Sequence, residues 1–150
     1  MGDGGGLLKL KAVDSDDLQA VAGALQDAIV PVLDIAYDAS EQRFMFAANR
    51  YRWEKTADSG NSGHERIHSG VIFDNVVKVQ RRGIDRLQPG SFLNLLTIML
   101  VDSPGGEGAV IELTFSGEAA IRLETTGLLC HLEDFGEPWP AQRQPQHAND

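Results

Sequence analysis

Ile111-Glu112-Leu113-Thr114-Phe115-Ser116-Gly117-Glu118-Ala119-Ala120-Ile121-Arg122-Leu123 is the stretch that decides the fold class. Apolar and polar side chains alternate on both sides of Ser116-Gly117-Glu118, which is the period of a strand with one buried face. The pattern predicts a hairpin with Ile111, Leu113, Phe115, Ile121 and Leu123 turned inward. Glu112 and Arg122 then face outward, opposite each other, as a surface ion pair.

The two-residue period continues in both directions. Downstream, Leu128, Cys130 and Leu132 form a last strand, which Gly136, Pro138 and Pro140 are expected to end. Upstream, Ser91 to Val101 is apolar on both faces and predicts a central strand, covered by helix on one side and sheet on the other. Arg66 to Phe73 and Val76 to Arg82 are separated by Asp74-Asn75, which suits a tight two-residue turn. Val32 to Tyr37, Arg43 to Trp53 and Leu7 to Val13 supply the remaining strands. One segment changes period: Leu18, Val21, Ala22, Leu25, Ala28 and Ile29 fall at helical spacing behind Ser15 as N-cap, with Asp16 and Asp17 in the first turn and Pro31 as a stop. The expected class is α+β, one amphipathic N-terminal helix packed on a mostly antiparallel sheet of about eight strands that can curl into a barrel. Residues 1–6 are expected to be a flexible N-terminus, 7–140 a single domain, and 141–150 a disordered tail.

With 150 residues, 42% hydrophobic and 23% charged, the chain has the proportions of one globular domain. Its single cysteine excludes an intramolecular disulfide and a multi-thiolate zinc site, and fits a reducing cytoplasm. No basic n-region precedes the first apolar segment, which Lys9 and Lys11 interrupt, so no signal peptide is expected. The longest apolar run, Phe92 to Val101, is far too short to cross a membrane. The net charge of -9 is uneven, because residues 41–86 form a basic island of net +3 between two acidic ends. A chain acidic overall is repelled by phosphate backbones, which argues against general nucleic-acid or membrane-surface binding.

His64-Glu65-Arg66-Ile67-His68 matches the zinc-peptidase pattern H-E-x-x-H, but that pattern chelates a metal only on a helix. Here glycines and serines precede it and a β-branched run follows. On a strand the two imidazoles stand about 13 Å apart, beyond the reach of one metal ion. The glycine stretches do not lead into the helix start that a phosphate loop needs. Cys130 reads as a small buried hydrophobe. Catalytic residues, metal ligands and a cofactor are therefore not expected.

The basic island carries the positive signal. If residues 54–64 close a hairpin centred near Ser59, Arg52 lies opposite Arg66 and Arg50 opposite His68; if Asp74-Asn75 is a two-residue turn, Arg81 joins them. Arg50, Arg52, Arg66, His68 and Arg81 then share one face, and opposed like charges require something negative there. That something is either an anionic small molecule or acidic partner segment, with the 54–64 loop flanking the site, or internal acids such as Glu54, Glu124 or Glu133. A shift of one residue would scatter the cluster. Tyr51 and Trp53, on the opposite face, are expected to pack beneath the helix or at a subunit contact.

Leu7-Leu8-Lys9-Leu10-Lys11-Ala12-Val13, Leu25-Gln26-Asp27-Ala28-Ile29-Val30-Pro31-Val32, Ala48-Asn49-Arg50-Tyr51-Arg52-Trp53-Glu54, Arg82-Gly83-Ile84-Asp85-Arg86 and Leu132 to Pro140 together resemble a family of short bacterial proteins known as a domain of unknown function. The resemblance covers most of Leu7 to Pro140. It implies a bacterial, cytoplasmic single domain and brings no activity, cofactor or catalytic residue with it. The reading of the residues themselves favours a non-enzymatic binding or adaptor domain. The alternative is a metal-dependent hydrolase using His64, Glu65 and His68. Apolar surface along Ser91 to Val101 adds the expectation of a homodimer.

Overall fold

The computed structural model describes residues 7–54, 64–85, 87–101 and 108–141. The elements in chain order are β1 (Lys9–Ala12), α1 (Ser15–Ala24), β2 (Ile29–Pro31), β3 (Ala36–Asp38), β4 (Arg43–Tyr51), β5 (Glu65–Phe73), β6 (Val76–Arg82), β7 (Phe92–Val101), β8 (Ala109–Phe115), β9 (Ala120–Thr125) and β10 (Cys130–Pro140). Every strand pairing is antiparallel, in the order β1-β10-β5-β4-β2-β7-β8-β9-β6, with β3 beside β4. The sheet therefore has ten strands rather than about eight, and it ends on β1 and β6 instead of closing into a barrel. One extra strand arises because Ile29, expected on the helix, opens β2, and the 3-10 turn Val32–Asp34 separates β2 from β3. Most of the 54–64 loop, the N-terminal 1–6 segment and nearly all of the 141–150 tail lie outside the described residues.

The sheet bends until its inner faces share one core. Phe44, Phe46, Val71 and Phe73 from one half meet Leu95, Ile111, Leu113, Phe115, Ile121 and Leu123 from the other, and Leu18, Val21 and Leu25 of α1 pack into the same cluster. The β8–β9 hairpin is as expected: its five inward residues are buried, and Glu112 lies opposite Arg122 with Nη2 3.1 Å from Oε2.

The helix begins one residue earlier than the spacing suggests. Asp14 is the N-cap, its carboxylate accepting from the Asp17 amide at 2.9 Å, while the Asp17 carboxylate accepts from the Val13 amide at 3.1 Å. The helix stops well before Pro31, where Asp27 turns left-handed at φ 63°. Gly23, inside α1, has no atom within 4 Å of the position a Cβ would take. Gly23→Ala should therefore raise stability by roughly 0.5–1 kcal/mol, through helix propensity alone. Urea unfolding measures it, and a loss of stability would show that the space is needed.

Three other expectations change. Asp74-Asn75 does not close a hairpin, because β5 is sandwiched between β4 and β10, whereas β6 leaves for β9. The Asp74 amide donates instead to the Leu129 carbonyl, and the Val76 amide to that of Gln42. Strand β7 is covered on one face only, with Phe92, Leu96 and Met99 exposed on the other. Finally, β10 runs through to Pro140. Gly136, at φ 76°, falls within the irregularity between the Phe135–His68 and Trp139–Arg66 pairs, and the strand resumes beyond it through Pro140.

Candidate functional site

The β4–β5 register decides where the candidate residues go. Tyr51 lies opposite Arg66, Arg50 opposite Ile67, and Asn49 opposite His68. This is one residue away from the hairpin centred near Ser59, and in a strand one residue reverses the face. Arg50 and Arg52 consequently point inward, while Arg66 and His68 point outward. Arg81 is elsewhere again, on β6, because β6 does not pair with β5. The five residues do not converge.

Arg50 is fully buried, and its five N–H donors are all used. Nε and Nη2 clamp the Asp134 carboxylate at 2.8 and 2.7 Å, Nη1 and Nη2 reach Glu54 at 3.1 and 2.8 Å, and Nη1 also donates to the Tyr51 carbonyl. Asp134 is equally saturated, since it also accepts from Ser69 Oγ at 2.6 Å and from the Leu8 amide at 2.8 Å. Burial opposes ionisation of Asp134, but the bonds from Arg50, Ser69 and Leu8 outweigh it and hold the carboxyl below its ordinary range. Glu54 is lowered in the same way, burial being overcome by Arg50 and Arg52. Arg52 pairs with Glu65 at 2.7 Å. The negative charge these two arginines require is thus internal. Glu54 was legible as a partner; Asp134, 84 residues from Arg50, was not.

Arg66 donates from Nη1 to the Asn49 carbonyl at 3.1 Å, and burial pushes its guanidinium below the usual value. His68 stacks on Phe135 with ring centres 5.6 Å apart and planes 16° apart, and touches Trp139 at 4.7 Å. His64 engages the Tyr51 hydroxyl instead. Glu65 opens β5, so the H-E-x-x-H segment is extended chain, and its two imidazoles are held by different neighbours. Among the described residues no three His, Cys, Asp or Glu side chains gather as a metal site would need. Burial pushes the Cys130 thiol up to about 12, which leaves it un-ionised and poorly nucleophilic at neutral pH. Trp53 stacks edge-on against Tyr51 at 4.7 Å and donates to the Gln26 carbonyl just beyond α1, as the packing reading expects.

An accessible basic surface lies on β6. Lys78, Gln80 and Arg82 alternate along one side of the strand, and Gln80 lies opposite Arg122 of β9. Lys78 and Arg82 have no ion pair among the described residues. Arg81 makes a single long contact, 3.9 Å, to Asp85, which is itself 82% exposed. Gln80, Arg81, Arg82, Glu112, Ala120 and Arg122 line a shallow cleft of about 290 Å³. The signal for this surface was present in the sequence as a strand bearing three cations and no acid.

Residues 8–147 match a family model described as "Protein of unknown function (DUF2948)". The chain belongs to this family. The match spans every described strand and the helix, so both the buried Arg50–Asp134 pair and the basic β6 surface lie within the DUF2948 domain. Comparison with curated proteins and with solved structures finds no match. No helix among the described residues is long and apolar enough to cross a membrane.

Proposed function

We propose that this DUF2948 domain is a non-enzymatic binding or adaptor module whose basic β6 surface takes an acidic segment of a partner protein. The observation that carries this reading is a strand at the end of the sheet with Lys78, Arg81 and Arg82 exposed, no acid of its own, and two of the three cations without an ion pair among the described residues, in a chain of net charge -9. Exposed cations of this kind add little to stability, and they raise the rate at which an acidic partner arrives. The buried thiol and the separated histidines support binding over catalysis.

Amide NMR with a short glutamate-rich peptide tests the reading. Shifts should saturate and centre on Lys78, Gln80, Arg82 and Arg122, weaken with added salt, and disappear in the Lys78→Glu/Arg82→Glu variant. Shifts centred on Arg66 and His68, or none by millimolar peptide, would overturn it.

A further inference from the structure

Strand β6 pairs with β9 on one side, and no described strand pairs with its other side. At the start of β6 the Val76 amide and carbonyl are taken by the Gln42 carbonyl and the Tyr37 hydroxyl, and from Lys78 to Arg82 alternate backbone N–H and C=O groups are directed away from β9. Native proteins blunt such an edge with proline, a bulge, a covering loop, short length or charged side chains, lysine above all, and charges of that kind turn away any added strand that does not neutralise them. From Val76 to Arg82 there is no proline, and the one irregularity, at Val77, leaves Lys78 to Arg82 in regular register with β9. The other end strand, β1, has four residues against seven in β6.

We infer that the acidic segment binds as an added β-strand along the open edge of β6, with acidic side chains at every second position. This inference rests on the binding function proposed above and specifies its mode. Alternation follows from the strand itself: Lys78, Gln80 and Arg82 project to one face about 7 Å apart, matching carboxylates two residues apart on an adjacent strand. The intervening partner residues face the side of Val79 and Arg81, which pair with buried Leu123 and Ile121, so a β-branched side chain suits the position beside Val79. Charge selects this occupant over a second copy of the chain. Two β6 edges brought together would set Lys78, Arg81 and Arg82 against the same three cations.

The experiment compares two synthetic peptides alternating glutamate and valine, one unmodified and one N-methylated at every second amide. Methylation of the edge-facing amides removes their hydrogen bonds and keeps the charges. The unmodified peptide should bind at least about tenfold more tightly, a difference easily resolved by calorimetry. It should also slow hydrogen exchange at those β6 amides not bonded to β9. Equal affinity of the two methylation states overturns strand addition and leaves charge-driven binding standing. Binding of neither peptide overturns both readings. A dimer of the free protein that Lys78→Glu/Arg82→Glu changes would place a second copy on the edge and overturn the acidic partner.

Discussion

Asp134→Ala should cost about 3–5 kcal/mol of unfolding free energy, the usual penalty for removing one partner of a buried ion pair. In a domain of this size that lowers the melting temperature by roughly 6–20 °C. The reason is what the substitution leaves behind: Arg50 stays fully buried with Nε orphaned, and Ser69 Oγ and the Leu8 amide lose their acceptor. Strand β1 should loosen first, because the Leu8 amide loses its bond to the carboxylate, leaving only the backbone bond from the residue-134 amide to the Leu8 carbonyl. Faster hydrogen exchange from Leu8 to Ala12 would show it. Replacing both partners with apolar residues, Arg50→Met with Asp134→Leu, should recover much of the loss, since no buried charge then remains. A cost for Asp134→Ala below about 1 kcal/mol would mean that the pair is not desolvated.

The pH dependence follows with its sign. Asp134 has a folded pKa below its unfolded value, so its contribution is fully present above about pH 4 and is lost as pH falls through the lower folded value. Glu54 acts in the same direction. The urea midpoint should therefore fall on acidification below about pH 4, and by less in the apolar double variant.

Gly108→Ala should destabilise by about 3 kcal/mol, and Gly117→Ala by only about 1 kcal/mol, although both glycines have left-handed backbone. Each pays the cost of forcing an alanine to positive φ, here 71° and 72°. Only at position 108 would the new Cβ also run into the Thr125 carbonyl. That collision falls beside the Ala109–Thr125 pair, where Thr125 Oγ1 donates to the Ala109 carbonyl at 2.8 Å and holds the end of the β8–β9 hairpin. Gly117 has nothing within 4 Å. Equal costs in parallel urea titrations would remove the collision from the account.

What the sequence determined by itself was local. Alternation around Ser116-Gly117-Glu118 specified the β8–β9 hairpin, its buried set and the Glu112–Arg122 pair, because a tight turn leaves one register in which every apolar side chain is inward. Helical spacing with acids at the start specified the beginning of α1 to within a residue of its cap, since capping acts within one turn, whereas its end at Ala24 and the placement of Ile29 in β2 were not legible from the spacing. The composition of β6, three cations and no acid, was likewise readable from the chain. Tertiary structure alone decided which strand each strand would meet. The pairing of β5 with β10 and of β6 with β9 joins residues 38 to 75 positions apart, and such choices follow from total apolar burial, not from the turn at Asp74-Asn75. It also set the parity of β4 against β5. A one-residue difference there turned Arg50 and Arg52 into the core, where Asp134 arrives from the far end of the chain to neutralise Arg50, and left the outward-facing cations of β6 as the accessible charge.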